Sequence, residues 1–170
     1  MSVQNLEAGN FSGGWQAGLT TSQMDGDKNA GYHKFGITAG FFVNRQFNTK
    51  LQGQFELRYN QKGAAVRKGE DQYVIRLDYM ELPFTANLLI QKNLKLEAGL
   101  IPSVLINASR LDNSFKENIR FDTFDLPAAI GMYYILSETV SFQLRESYSL
   151  FRVSGIFNNA LTFALFYTIE

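Results

Sequence analysis

Eight stretches of this sequence alternate apolar and polar residues with a period of two, and this pattern limits the possible folds more than any other feature. In KLQGQFELRYN, residues 50–60, one face carries Leu51, Phe55 and Leu57, and the other carries only polar or charged residues. Successive side chains of a β-strand point to opposite faces, so the pattern predicts strands rather than helices. The eight segments lie near 14–21, 34–45, 50–60, 73–90, 94–106, 122–136, 139–150 and 159–169.

Short turns and long polar loops connect these segments alternately. The short turns are centred on Phe47-Asn48-Thr49, Gln91-Lys92-Asn93 and Ser137-Glu138, and the long loops include SQMDGDKNAGYH, QKGAAVRKGEDQ and NASRLDNSFKENIR. An even number of strands with short turns at one end and longer loops at the other is typical of outer-membrane barrels. We therefore predict an all-β fold, an eight-stranded antiparallel up-and-down transmembrane β-barrel in a bacterial outer membrane.

Composition limits the function as well as the fold. The 170 residues suit one barrel domain, 1–170, with a periplasmic N-terminal tail at 1–12. The 16 Lys and Arg residues balance 16 Asp and Glu residues, so no basic surface is expected to bind nucleic acid. The chain has no cysteine, which excludes disulfides and thiolate metal sites. The N-terminus lacks the basic and apolar regions of a signal peptide, and we expect that an export signal has been removed.

The chemistry of the two faces separates a membrane barrel from a soluble one. A soluble lipocalin-like barrel also has eight strands, but it places its apolar rows inside and its polar rows in water. Here the polar rows carry glycine, serine, glutamine and charged residues, too polar for such a core. The apolar rows end in aromatic residues, as membrane interfaces favour. We expect one girdle of Trp15, Phe47, Tyr134 and Tyr167 near the short turns and another of Phe35, Tyr59, Phe124 and Tyr148 near the loops.

Charged residues occupy the polar rows inside several strands. If Leu82 and Phe84 face lipid, strict alternation points Glu81 and Pro83 into the barrel. The same alternation of inward and outward side chains predicts an inward-facing set: Glu56, Arg58, Glu81, Lys95, Glu97, Asp125 and Arg145. Buried charges persist when they are paired and hydrogen-bonded, and eight strands enclose only enough space for side chains. We expect a salt-bridge network that fills the lumen, with Glu81 and Arg145 as candidate partners.

Two features test this assignment of residues to the lumen or to the lipid side. Pro83, Pro102 and Pro127 fall inside the fourth, fifth and sixth segments, and proline cannot donate to a strand ladder. We therefore expect bulges or weakened pairing at these positions. Glu146 points toward lipid if the alternation of the seventh segment is strict. A lipid-facing charge costs least near the interface, so we expect Glu146 near the outer headgroups.

Six short motifs carry a family resemblance that extends over nearly the whole chain from about Gly14 onward. They are LRYNQKGA, YMELP, LEAGL, LPAAIGMYYIL, FQLRESYSL and NNALTFALFYTI. They resemble the PorT-like outer-membrane barrel family of Bacteroidetes-type bacteria, which is broadly similar to OmpA and OmpX, and the matching residues are Gln61, Lys62, Gly63, Tyr79, Glu81, Pro83 and Arg145. The resemblance implies an exported eight-stranded barrel, and some relatives are linked to type IX secretion and gliding. The chain ends YTIE rather than on an aromatic residue, so we expect either that Tyr167 takes that place or that the chain has been trimmed.

The first long loop contains a partial calcium motif. Asp25, Asp27 and Asn29 have the one-three-five spacing at which alternate oxygens can converge on a cation. Ala30 and Gly36 stand where the full motif has glycine and a bidentate glutamate. A surface turn is therefore favoured over a metal site, and we predict no metal.

The same loop contains His33, the only histidine of the chain. Some outer-membrane barrels of this size are lipid A-modifying hydrolases that use a histidine with a serine and a carboxylate. Such a site needs a nucleophile within hydrogen-bond reach, and the nearest candidate, Ser22, lies across the loop. We therefore predict no catalytic residue and no cofactor.

These features predict a structural or interaction protein, or an accessory subunit of a larger outer-membrane assembly, and the family resemblance implies that this assembly is secretion-related. The expected partners are membrane lipid, lipopolysaccharide and other outer-membrane proteins. The alternatives are a lipid A-modifying hydrolase and a narrow pore. The hairpin of the third and fourth segments runs past the roughly 9–11 residues that a membrane strand needs. It is expected to project as a rigid loop stem or as an edge that accepts a partner strand.

Overall fold

A computed structural model describes residues 10–25, 34–68, 71–112, 115–118, 122–153 and 157–169. Its strands are β1 (Phe11–Asp25), β2 (Lys34–Gln46), β3 (Leu51–Lys68), β4 (Asp71–Glu81), β5 (Phe84–Gln91), β6 (Leu94–Leu100), β7 (Ser103–Asp112), β8 (Phe115–Asn118), β9 (Phe124–Asp125), β10 (Pro127–Ile135), β11 (Val140–Ser149) and β12 (Phe157–Ile169). Within the described ranges, no helix is long and apolar enough to cross a bilayer.

Eight segments cross the wall of a closed barrel, and we call each of them a stave. A stave is made of one strand or of two consecutive strands, and every strand except β8 belongs to one. The strands β1, β2, β3, β11 and β12 each form one stave, whereas β4 continues into β5, β6 into β7, and β9 into β10. Each stave pairs antiparallel with the next one in sequence. Pairing of β1 with β12, where Trp15 lies opposite Tyr167, closes the ring. This confirms the predicted eight-stranded up-and-down barrel.

The barrel places its polar rows inside and its apolar rows outside. On β2, Thr38 is buried at 1% exposure, whereas Phe35 and Phe41 on the opposite face are 75% and 69% exposed. Buried polar side chains from other staves include Glu56 and Arg145. The lipocalin-like alternative is therefore wrong, because it requires the reverse arrangement.

Three adjacent staves are interrupted at their prolines. The breaks between β4 and β5, β6 and β7, and β9 and β10 fall at or directly before Pro83, Pro102 and Pro127. The proline carbonyls accept backbone bonds from the neighbouring staves, at 3.0 Å from Glu56 N, 2.8 Å from Leu82 N and 2.8 Å from Ile101 N. Proline cannot donate in return, so pairing is weakened on one side only.

The bulges lie away from the prolines, which corrects part of the prediction. Register shifts occur after Asp78 in the β4–β7 pair and after Leu89 in the β5–β6 pair. Across the break at Pro83, Glu81 and Thr85 remain buried, so the proline does not reverse the faces. A break that adds no residue leaves the period of two intact.

Three strands continue past the barrel wall on the loop side, and β8 is added beside them. The β2–β3 pairing ends at Thr38 opposite Asn60, while β3 pairs with β4 as far as Lys68 opposite Asp71. The strand β7 pairs with β4, and β8 pairs with β7. We call β8 together with these extensions of β3, β4 and β7 the projecting sheet. The segments QKGAAVRKGEDQ and NASRLDNSFKENIR, predicted as loops, are therefore largely strand.

The N-terminal boundary also differs from the expectation. The strand β1 already begins at Phe11 and pairs there with Arg45, so the expected tail at 1–12 ends earlier. Residues 1–9 lie outside the described ranges.

Candidate functional site

The centre of the lumen holds Arg145 between two carboxylates from other staves. Arg145 Nη2 lies 2.5 Å from Glu56 Oε1 and also contacts Glu97 Oε1, while Arg145 Nε donates to Glu97 Oε2 at 3.2 Å. Arg145 and Glu56 are fully buried and Glu97 nearly so. This contact connects β11 to β3 and β6 across the lumen.

A second group forms around Glu81, one step nearer the loops. Arg58 Nη2 and Lys62 Nζ each lie 2.7 Å from a Glu81 oxygen, and Asn60 Nδ2 donates to the same carboxylate at 3.1 Å. Arg58 Nη1 lies 3.9 Å from Glu56 Oε2 and so links the two groups. Arg145 therefore pairs with Glu56 and Glu97 rather than with Glu81, the partner considered from the sequence.

We call the six charged residues of these two groups the charge network: Glu56, Arg58, Lys62, Glu81, Glu97 and Arg145. Three carboxylates face three bases, so the network carries no net formal charge. Removing charges from water is costly, and only close pairing with additional hydrogen bonds offsets that cost. The network is therefore an interdependent unit in which the loss of one member strands another.

Two residues predicted for the network lie nearer the ends of the lumen and bind neutral groups. Lys95 Nζ donates to Gln52 Oε1 at 3.0 Å. Asp125 Oδ2 accepts hydrogen bonds from Ser149 Oγ at 2.9 Å and Asn158 Nδ2 at 3.0 Å. The alternation along the strands predicted that these side chains face the lumen. Their heights along the barrel axis decide which groups they reach.

Sequence reasoning missed several lumen residues that share the same parity. Lys62 lies four residues after Arg58 and therefore on the same row, but it was treated only as a motif residue. Tyr133 accepts hydrogen bonds at its hydroxyl from Gln54 Nε2 at 2.7 Å and Gln143 Nε2 at 2.6 Å. The two glutamines also bind network carboxylates. Counting every second residue along each strand would have placed all of these residues in the lumen.

Apolar side chains lie on both sides of the charge network. Toward the short turns, Phe166 packs on Phe42 and Tyr133, with ring centroids 5.1 Å apart in both pairs. Toward the loops, Leu77 and Tyr79 are fully buried in a second apolar cluster. The lumen of the described barrel is therefore filled by charged side chains in the middle and apolar ones above and below.

Glycine supplies the space that the network occupies at Gly131, opposite Arg145. A Cβ at Gly131 would lie 2.9 Å from Glu97 Oε2 and 2.6 Å from the Leu144 carbonyl oxygen. Both distances are too short for a real contact. The glycine therefore allows the neighbouring backbone and the Glu97 carboxylate to approach closely.

The eight predicted interface aromatics lie in the outward rows. Trp15 stacks on Tyr167 at 5.5 Å, and Tyr148 stacks on Phe157 at 5.5 Å. Seven of them are exposed: Trp15, Phe35, Phe47, Phe124, Tyr134, Tyr148 and Tyr167. Tyr59 is partly buried, because its hydroxyl donates to Asp78. Their role as girdles remains a prediction.

Glu146 also lies on the outer surface, as the alternation of the seventh segment predicted. It is exposed, and its register partners are Ile130 on β10 and Leu161 on β12. The next outward residue toward the loops is Tyr148 of the expected outer girdle. Its expected position near the outer headgroups stays a prediction.

A polar cluster marks the point where the projecting sheet leaves the barrel. Asp78 accepts hydrogen bonds at Oδ1 from Tyr59 Oη (2.7 Å), Arg76 Nε (3.0 Å) and Gln61 Nε2 (3.2 Å), and at Oδ2 from Asn107 Nδ2 (2.9 Å). Burial works to raise the pKa of Asp78, but these hydrogen bonds outweigh it and lower the pKa from 3.8 to about 2. The β4–β7 bulge beside Asp78 turns Asn107 to the same side.

Of the candidate hydrolase and calcium-binding residues, Ser22 is the one whose side chain the structure describes. Ser22 is buried, and its hydroxyl donates to the Gly63 carbonyl at 2.8 Å and accepts from the Gly63 amide at 2.9 Å. A hydroxyl occupied in this way is not a free nucleophile. Asp27, Asn29 and His33 lie outside the described residues, as does the side chain of Asp25.

Comparison with known proteins identifies the family of this barrel. Residues 4–155 match the family model described as "Outer membrane protein beta-barrel domain". Among solved structures, Ail, the attachment invasion locus protein of Yersinia pestis, is similar with a TM-score of 0.65 and 11% identity, over 96% of this chain and 100% of Ail. Neisserial surface protein A is similar with a TM-score of 0.60 and 12% identity, over 96% and 100%. No curated protein sequence matches the chain.

One structure of Ail, with a TM-score of 0.60, is a complex with the heparin analogue sucrose octasulfate. At these identities the structural likeness concerns the fold alone. The resemblance drawn from the sequence motifs is confirmed at the level of an outer-membrane barrel, and its PorT-like form stays a prediction. The chain belongs to the outer membrane protein beta-barrel domain family, and it is a protein of the bacterial outer membrane.

Proposed function

We propose that this chain is a sealed, non-enzymatic barrel that acts as an interaction protein or an accessory subunit of a larger outer-membrane assembly. The observation that carries the proposal is the projecting sheet, which extends β3, β4 and β7 beyond the barrel and adds β8. Such a sheet is not needed to span a bilayer, because about 9–11 residues per strand suffice. It offers a surface outside the membrane to another protein.

Strand addition is the contact that this sheet favours. Among the described strands, β8 pairs on one side with β7 and has no second neighbour. The unpaired backbone groups of an edge strand accept a strand from a partner. The rigid-stem interpretation needs no such edge. We therefore propose that the projecting sheet binds its partner, rather than only supporting loops.

The filled lumen argues against a pore. Arg58, Arg145 and Glu56 are fully buried within the barrel and bonded to one another's groups, and eight staves leave space only for side chains. The hydrolase alternative lacks a free nucleophile at Ser22. Among the residues that the structure describes, neither alternative has an observation in its favour.

The PorT-like resemblance suggests which assembly is involved. Its motif residues Lys62, Glu81 and Arg145 all belong to the charge network, so the resemblance extends to residues that fill the lumen. On this basis we propose a Bacteroidetes-type relative whose partner belongs to a secretion-related outer-membrane complex.

Shortening the projecting sheet tests this function. Residues 110–117 are replaced by Asn-Gly, which removes the β8 edge, because Ser109 and Asn118 are register partners that a two-residue turn can join. Native membranes are extracted in mild detergent, and the proteins that co-purify with the wild-type and the shortened barrel are compared. The matched control is Thr49→Gly, which places Asn-Gly at residues 48–49 in a short turn at the opposite end of the barrel.

We expect the shortened barrel to lose its co-purifying proteins while the control keeps them. Retention of the same proteins by the shortened, heat-modifiable barrel would refute the proposal. A change in lipid A mass that depends on the protein and disappears in His33→Ala would establish the hydrolase instead.

A further inference from the structure

An arginine on the outer wall is held between two phenyl rings near the short turns. The Arg45 guanidinium carbon lies 5.6 Å from the ring centroid of Phe11 and 5.7 Å from that of Phe47. Cations are attracted to aromatic faces at such distances, and a guanidinium stacks flat on them. We call Phe11, Arg45 and Phe47 the arginine sandwich.

The backbone register builds this sandwich. Arg45 on β2 lies opposite Phe11 on β1 and opposite Gly53 on β3. Gly53 has no side chain, and the Phe47 ring lies over it, since a Cβ at Gly53 would be 2.7 Å from Phe47 Cε2. Phe47 therefore occupies the space beside Arg45 that a side chain at position 53 would otherwise take.

The sandwich faces lipid rather than the lumen. Arg45 is exposed and alternates with buried Asn44 and Gln46, which places it in the outward row of Phe41 and Val43. Within the described part of the chain, no carboxylate or carbonyl pairs with Arg45, and its guanidinium contacts the two phenyl rings. A charged side chain at a membrane surface turns toward the headgroups.

The chemistry of the free edge identifies the ligand. The two rings lie on either side of the guanidinium, Phe11 on β1 and Phe47 over Gly53 of β3, and the planar fork of guanidinium N–H groups matches two oxygens of a phosphate. On a barrel with short turns toward the periplasm, this height is that of the inner-leaflet headgroups. We propose that Arg45 binds the headgroup phosphate of an anionic phospholipid and that Phe11 and Phe47 hold the guanidinium in place for it.

Trp15 provides a direct measurement of this binding. It is the only tryptophan, it is 45% exposed, and it lies opposite Phe41, four residues along β2 from Arg45. Four residues span about 13 Å along a strand, so the acyl chain of a lipid anchored at Arg45 passes Trp15. Quenching of Trp15 fluorescence by lipids brominated in mid-chain therefore reports which lipid occupies this position.

The experiment compares brominated phosphatidylglycerol with brominated phosphatidylethanolamine in reconstituted vesicles of the full chain. The variants are Arg45→Gln, Arg45→Lys, the double variant Phe11→Leu with Phe47→Leu, and Lys92→Gln. Lys92 is an exposed cation of another short turn at the same end of the barrel, so its removal is a control for net charge. Heat-modifiable migration verifies that each variant is folded.

We expect wild type to favour phosphatidylglycerol about fivefold, which corresponds to about 1 kcal/mol for one basic residue at a membrane surface. Arg45→Gln should abolish the preference, while Arg45→Lys and the double phenylalanine variant should weaken it and Lys92→Gln should retain it. A preference that survives in Arg45→Gln, or that Lys92→Gln removes equally, would overturn the proposal.

Discussion

At the scale of single residues, Arg145 shows how the lumen depends on pairing. It is the only base that contacts Glu97 in the network, and it shares Glu56 with Arg58. Removing one partner of a buried pair leaves the other charge without compensation, which typically costs about 3–5 kcal/mol. Burial of all these groups therefore makes single replacements more harmful than paired ones.

We predict that Arg145→Ala and Glu97→Ala each destabilise the barrel by about 3–5 kcal/mol, and that together they cost clearly less than the sum. Arg145→Ala and Glu81→Ala should come closer to additivity, because Glu81 binds Arg58 and Lys62 instead. Reversible unfolding in urea, followed by heat-modifiable migration in vesicles, measures both cycles. A coupling between Arg145 and Glu81 as large as that between Arg145 and Glu97 would contradict the observed pairing.

Ser103 shows how the fold accommodates a proline in a ladder. Ile101 N donates to the Pro127 carbonyl at 2.8 Å, and residues paired in this way normally exchange two bonds. Pro127 has no N–H to return, and the buried Ser103 hydroxyl donates to the Ile101 carbonyl at 2.8 Å instead. The serine thus satisfies an acceptor that the proline leaves open.

We predict that Ser103→Ala costs about 1–3 kcal/mol, the usual penalty for an unsatisfied buried polar group. In a Pro127→Ala background the cost of Ser103→Ala should be smaller, because residue 127 then has an N–H for the Ile101 carbonyl. The same urea unfolding experiment compares the four proteins. An equal cost of Ser103→Ala in both backgrounds would show that the hydroxyl does not replace the missing donor.

At the scale of elements, the sequence predicted the eight membrane segments and a projecting hairpin of the third and fourth segments, but not that β3 continues as a strand beyond Asn60 or that β7 and β8 join the projecting sheet. A membrane strand has one face in lipid and one in the lumen, so its residues alternate sharply, as in Leu51 to Asn60. The continuation of β3 beyond Asn60 has no lipid face, and its polar residues resemble a loop. Pairing with β4 and the contacts of Asp78 hold it as a strand, and neither is visible in a local pattern.

The Asp78 cluster gives the projecting sheet a dependence on pH. Its folded-state pKa of about 2 lies below the ordinary 3.8, so its contribution to stability is present above about pH 4 and is lost as the pH falls toward 2. We predict that Asp78→Asn destabilises the sheet at pH 7 and that the difference from wild type shrinks below pH 4. Hydrogen exchange of the β4 and β7 amides measures this. A difference that stays constant from pH 7 to pH 2 would contradict the role of the carboxylate.

At the scale of the whole molecule, the alternation of side chains along the strands and the closure of the strands into a ring together determine which residues fill the lumen. Alternation alone predicted that Glu56, Arg58, Glu81, Glu97 and Arg145 face inward, and the structure places them within the charge network. Which carboxylate meets which base depends on the stagger of staves around the ring, which no single segment encodes. That is why Lys95 and Asp125 were assigned ion pairs and instead bind neutral groups.

Planar-bilayer recording of the purified full chain tests most directly whether this barrel is sealed. The charged middle of the lumen and the apolar clusters on either side of it consist of side chains that are almost completely buried. We predict no steady open conductance for the wild-type protein over repeated insertions, under conditions in which an open porin conducts. A stable, reproducible single-channel conductance would contradict the sealed lumen and make the protein a pore.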